Sequence, residues 1–164
     1  MRKIILLLSI FISSVSLVSE SPLAEIEKTD NYVYGVVSLF GPEKLSSIKS
    51  NSSFISEKVS SFEIENEVWL EHEITQKFAT VWYIHNRKTP EKGFITKILV
   101  RTNNFSLPSG LNIGTSSAEV KKMLGNPNEA SKEKMYYCGV TECVSFFLSS
   151  SGTVSSIEVY VYTG

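Results

Sequence analysis

The sequence predicts an α+β domain: an antiparallel sheet from two helix–β–β–β halves, with short helices packed on one face. Two observations carry this. Short helix signals bounded by Gly and Pro stand at 41–48 and 114–127, and each is followed by three segments of strand-like composition or period-two alternation. The halves span about 32–101 and 110–162, and their repeat is architectural, without obvious identity between them.

The later helix has the clearer signals. Ser116 and Glu119 have capping-box spacing, Val120, Met123 and Leu124 share one face, and Gly125 and Pro127 end it. In the earlier one, Pro42 suits the first helical position, and Leu45 and Ile48 are i, i+3 neighbours. The Ser-rich stretch 50–61 reads as a continued helical face or a loop. Residues 62–74 then alternate as one strand. Phe62, Ile64, Val68, Leu70 and Ile74 face one way; Glu63, Glu65, Glu67, Glu71 and Glu73 face the other, with Trp69 among them. Further strands are expected at 78–85, 94–101, 134–138, 143–148 and 154–162.

Residues 1–19 read as a secretory signal. Arg2 and Lys3 precede an apolar run too short to span a membrane, and Ser14, Ser16 and Ser19 offer small residues for cleavage. The remainder, 20–164, is expected as one domain, periplasmic or secreted, with no stable membrane span after cleavage. Export supplies an oxidising compartment for Cys138 and Cys143. A four-residue hairpin loop would set them opposite each other, and a disulfide there stabilises by about 2 kcal/mol. A redox pair favours C-x-x-C at a helix start. A zinc site using His72 and His85 would need ligands far from the usual spacing.

Chemistry is sparse. The formal net charge is −1 and Asp30 is the only Asp. No nucleic-acid partner, phosphate loop, nucleophile elbow, metal or cofactor is indicated, and the chain is read as not an enzyme. His72 is in phase with the apolar positions of its strand, and Ala79, Val81, Tyr83 and His85 share that face after a short turn. Both His are expected to be hydrogen-bonded in or beside the core. Segment 57–73 carries six Glu against Lys58, and segment 77–101 carries six basic residues against Glu91. Cross-strand charge pairing explains this simply. The functional reading is a docking surface made by Trp69, Trp82, Glu67, Glu71 and Glu73 for another protein, a basic one by charge.

Gly110-Leu111-Asn112-Ile113-Gly114, then Ser116, Glu119-Val120 and Leu124-Gly125-Asn126-Pro127, resemble BamE-like exported domains. They equally resemble the half-repeat of β-lactamase-inhibitor-protein-like folds. The resemblance covers about 108–162 and implies a helix before a three-stranded meander. It transfers no catalytic residue, and the lipobox Cys of the BamE pattern is missing. It implies an exported, non-catalytic protein-binding domain, either an envelope scaffold component or an inhibitor of a secreted enzyme. A small exported hydrolase with an unfamiliar site is the alternative expectation.

Overall fold

A computed structural model describes residues 22–41, 44–50, 53–103 and 106–161. The expected signal segment and Pro42 lie outside the described residues.

The fold is more β-rich than expected. In chain order come α1 (Pro22–Ser38), α2 (Leu45–Lys49), β1 (Phe54–Ile64), β2 (Glu67–Gln76), β3 (Ala79–Asn86) and β4 (Gly93–Val100). A short 3-10 turn (Pro108–Gly110), α3 (Ser117–Leu124), β5 (Glu129–Ala130), β6 (Lys134–Cys138), β7 (Glu142–Leu148) and β8 (Val154–Val161) complete it. The strands form one antiparallel sheet of eight in the order β1-β2-β3-β4-β8-β7-β6-β5. This corrects the expected α+β arrangement of two helix–β–β–β halves. Each half supplies four strands, and β4 pairs with β8 to join them.

Two local causes explain the difference. Residues 62–74 are not one strand, because the chain reverses at Glu65-Asn66. Both residues have positive φ, 52° and 65°, the primed two-residue turn whose twist suits a hairpin. Asn tolerates the left-handed region; Glu is an unusual choice there. The Ser-rich stretch before it then forms β1, neither helix nor loop, because the whole length of β2 offers it a partner. The second cause is α1, which lies before the expected first half. Thr29, Tyr32, Val33, Val36 and Phe40 are buried along it and just after it, at the i, i+3, i+4, i+7 spacing of a helix face.

The helices pack on one face of the sheet. Helix α1 rests on β7, β6 and β8, and the Tyr32 hydroxyl donates to the Leu111 carbonyl at 3.0 Å. Helix α2 buries Ile48, whose carbonyl accepts from Gln76 Nε2 at 3.0 Å. The core between helices and sheet contains Ile74, Val81, Tyr83, Ile98, Val144, Phe146, Ile157 and Val159. Helix α3 carries the expected capping box: Ser116 Oγ accepts from Glu119 N at 3.2 Å, and Glu119 Oε2 accepts from Ser116 N at 3.0 Å. Val120 and Leu124 are buried, but Met123 is 41% exposed and does not share their face. Cys138 and Cys143 are directly paired across β6 and β7 and form a disulfide, which fits an exported protein. Among the described residues no helix is long and apolar enough to cross a membrane.

Candidate functional site

The hairpin decides which side chains share a face. Across a two-residue turn, partners in the ladder point to the same side of the sheet. Ile64 pairs with Glu67, Phe62 with Trp69, and Glu63 with Val68. Phe62 and Ile64 therefore join Glu67, Trp69, Glu71 and Glu73. Glu63 joins Val68, Leu70, His72 and Ile74. This reverses the expected sides of Phe62, Ile64 and Glu63 and keeps those of Trp69 and the three β2 glutamates.

The Trp69 face is the one the helices leave uncovered, since Ile74, Val81 and Tyr83 occupy the other. Trp82 lies on it, paired with Glu73 on β2 and with Lys97 on β4. Tyr160 follows across from Lys97. The face thus gathers Trp69, Trp82, Glu67, Glu71 and Glu73, all five of the candidate docking residues. A groove of about 520 Å³ runs across it, lined by Glu71, Trp82, Ile84, Phe94, Lys97 and Tyr160 among others. Both Trp rings are half-buried, as are Glu71 and Glu73, while Glu67 is exposed. Lys97 Nζ sits 3.8 Å from the Trp82 ring centroid, a cation–π contact that holds the ring to the groove wall. The expected cross-strand charge pairing is realised at Glu67, which Lys88 approaches at 3.8 Å. Glu67 Oε2 also accepts from Asn86 Nδ2 at 2.6 Å, and Glu71 accepts from Ser60 Oγ at 3.4 Å.

Behind this face the two histidines meet. His72 and His85 are both buried, and a hydrogen bond joins their Nε2 atoms. His72 Nδ1 lies 2.7 Å from Glu57 Oε1, and the other Glu57 oxygen accepts from Lys49 Nζ at 2.7 Å. His85 Nδ1 faces the Asn86 carbonyl at 3.0 Å. The network ties α2, β1, β2 and β3 together. Burial alone would raise the Glu57 carboxyl, but hydrogen bonds from Lys49 and His72 outweigh it and hold the group below the usual range. The Tyr83 ring packs edge-on to His72, and burial pushes its hydroxyl up. A Cβ at Gly93 would run into that ring. The sequence placed both His on the core side correctly. It missed Glu57 and Lys49, because the Ser-rich stretch that holds Glu57 carries no strand alternation of its own. Among the described residues no group of three or more His, Cys, Asp or Glu is placed to hold a metal ion.

On the disulfide hairpin, Asp30 of α1 accepts from Val140 N, with both carboxylate oxygens at 3.1 Å. Burial raises the Glu142 carboxyl, and the adjacent Asp30 raises it further. A hollow of about 700 Å³ lies on the helix side, lined by Lys44, Leu45, Lys49, Ser50, Pro90 and Glu91 among others.

No family model and no curated protein matches the chain. Among solved structures, it is similar to the uncharacterized protein yfeY from Escherichia coli. The two are 16% identical with a TM-score of 0.41, over 77% of this chain and 94% of that one.

Proposed function

We propose that the chain is an exported, non-catalytic protein-binding domain whose partner docks on the helix-free face of the sheet. One observation carries the reading: the hairpin register and the bare face bring Trp69, Trp82, Glu67, Glu71 and Glu73 to a single surface. A half-buried indole in an open groove, Trp82, with a second half-buried one, Trp69, on the same face, resembles the aromatic anchors of binding hot spots. The carboxylates around them favour a basic partner and speed its approach. The disulfide is consistent with a partner met outside the cytoplasm. The resemblance of 108–162 to BamE-like and β-lactamase-inhibitor-protein-like domains narrows the role to an envelope scaffold component or an inhibitor of a secreted enzyme.

Site-specific photocrosslinking tests this. A photoreactive residue replaces Glu71 in one variant and Lys121, exposed on α3, in another, each expressed in the native host. A discrete adduct from position 71, absent from position 121, is expected. No adduct from position 71, or the same adducts from both, overturns the reading.

A further inference from the structure

The two ends of the sheet are built differently. At one end β5 has only two residues, and a very short edge offers almost nothing to pair with. At the other end β1 has 11 residues and, among the described residues, a ladder on one side only. Its backbone directions follow from the hairpin. The two-residue turn makes Ile64 and Glu67 the closing hydrogen-bonded pair. The Val68 carbonyl instead accepts from Arg87 N at 2.9 Å, so Val68 and its partner Glu63 direct their main-chain groups away from each other. By alternation Glu57, Val59, Ser61 and Glu63 present their N–H and C=O groups outward, while Lys58, Ser60 and Phe62 bond to β2. The register is unbroken from Ser56 to Ile64.

From Val59 to Ile64 this edge lacks the usual protection; its bulge at Phe54–Ser56 and its inward Glu57 lie before that stretch. It contains no Pro and a single Lys, Lys58. It exposes large apolar side chains: Ile55 at 58%, Val59 and Ile64 at 51%, and Phe62 at 37%. Such an edge is a template for another strand. Charge decides which strand. Segment 57–73 carries six Glu and one Lys, so a second copy would set two glutamate-rich hairpins side by side.

We infer that β1 receives an added strand from a partner: an extended segment that alternates basic and apolar residues. The inference rests on the proposed function and names the partner segment for that face. Main-chain bonds to Glu57, Val59, Ser61 and Glu63 would supply affinity. Apolar side chains would cover Phe62 and Ile64 on the helix-free face, and basic ones, on the opposite face, would meet Glu63.

The probe is a fluorescein-labelled peptide of about ten residues alternating Lys and Val, the length of the edge. Its Glu–Val counterpart is the control. Anisotropy should show the Lys–Val peptide binding at least roughly tenfold tighter than the control. Amide exchange should slow at Val59, Ser61 and Glu63 on binding, while the β2-bonded amides of Lys58, Ser60 and Phe62 change little. Ser61→Pro removes an outward N–H and spares the β2 ladder. With an unchanged circular dichroism spectrum it should weaken the peptide roughly tenfold. Peptide binding without protection of the alternate amides, or binding indifferent to Ser61→Pro, overturns the inference. So does the absence of peptide binding, or a dimer in light scattering that Ser61→Pro dissociates. In each of these cases a position-71 adduct would leave the proposed function standing.

Discussion

His72 and His85 meet head to head: their Nε2 atoms are 2.9 Å apart, the ring centroids 5.0 Å, and the planes differ by 22°. In-line rings at this separation share one hydrogen. The outer partners fix the rest. Glu57, a carboxylate, and the Asn86 carbonyl can only accept, so both Nδ1 atoms carry hydrogens. Three hydrogens on four ring nitrogens satisfy every hydrogen bond of the pair.

The first prediction follows from that count. A further proton would set two N–H groups against each other. Losing one would oppose two lone pairs, or break a bond to Glu57 or Asn86. Side-chain nitrogen spectra at the pH of greatest stability should show three ring N–H signals from the pair. Two signals there would refute the shared hydrogen. His85→Ala should cost about 1–3 kcal/mol, because the buried His72 Nε2 would lose its hydrogen-bond partner.

Glu57 gives the second. Its folded pKa is lowered, so ionisation favours the native state. The contribution is present above the unfolded carboxylate range and is lost as pH falls through the lowered folded value. Urea midpoints of the wild type and Glu57→Gln should differ at neutral pH and converge in acid. A constant difference down to acid would show that the ion pair with Lys49 and the bond to His72 contribute no pH-dependent stability.

Glu142 should behave oppositely. Its folded pKa is raised, by burial and then by Asp30. The folded state binds its proton more tightly than the unfolded state, so stability declines as pH rises through this range. Glu142→Gln should therefore raise the Tm at pH 7 and lose that advantage in acid. A lowered Tm at pH 7 would mean that the carboxylate has a partner worth more than its burial and repulsion.

Helix α3 supplies a graded test. Ser116→Ala should cost about 1 kcal/mol through the capping box. Leu124→Asp, at a site 3% exposed, should cost several times more by burying an unpaired charge. Equal small losses on chemical denaturation would show that this face does not hold core.

The second half was legible because its signals were local. Ser116 and Glu119 lie within one helical turn, and Cys138 and Cys143 flank one short loop. The first half depended on a turn. Glu65-Asn66 lacks the Gly that usually marks a primed turn, and alternation on either side matched well enough to read as one strand. Trp69 kept its expected side because the β2 register continues into β3; Phe62 did not, because it lies before the reversal. Helix α1 was legible in the spacing of Thr29, Tyr32, Val33 and Val36 but adjoins a segment read as signal. The Glu57–His72–His85 chain joins three strands, and no pattern within one segment reveals it.

The last prediction separates binding from folding at Trp69. The ring lies on the helix-free face between Phe62 and Asn86 in the ladder and is half-buried. Its place opposite Phe62 in the ladder adds only a modest stability, about 0.2–1 kcal/mol for such pairs. A true core Trp would cost about 3–5 kcal/mol on truncation. Trp69→Ala should thus move the unfolding midpoint slightly while weakening partner binding by about 2 kcal/mol, a hot-spot magnitude. Trp82→Ala also removes the support under Lys97 and should lose somewhat more stability. Glu71→Lys with Glu73→Lys should mainly slow association and flatten its salt dependence. Measuring unfolding and binding on the same Trp69→Ala preparation decides between the roles. A loss of 3 kcal/mol or so in stability with binding unchanged would make Trp69 a packing residue and move the docking site away from it.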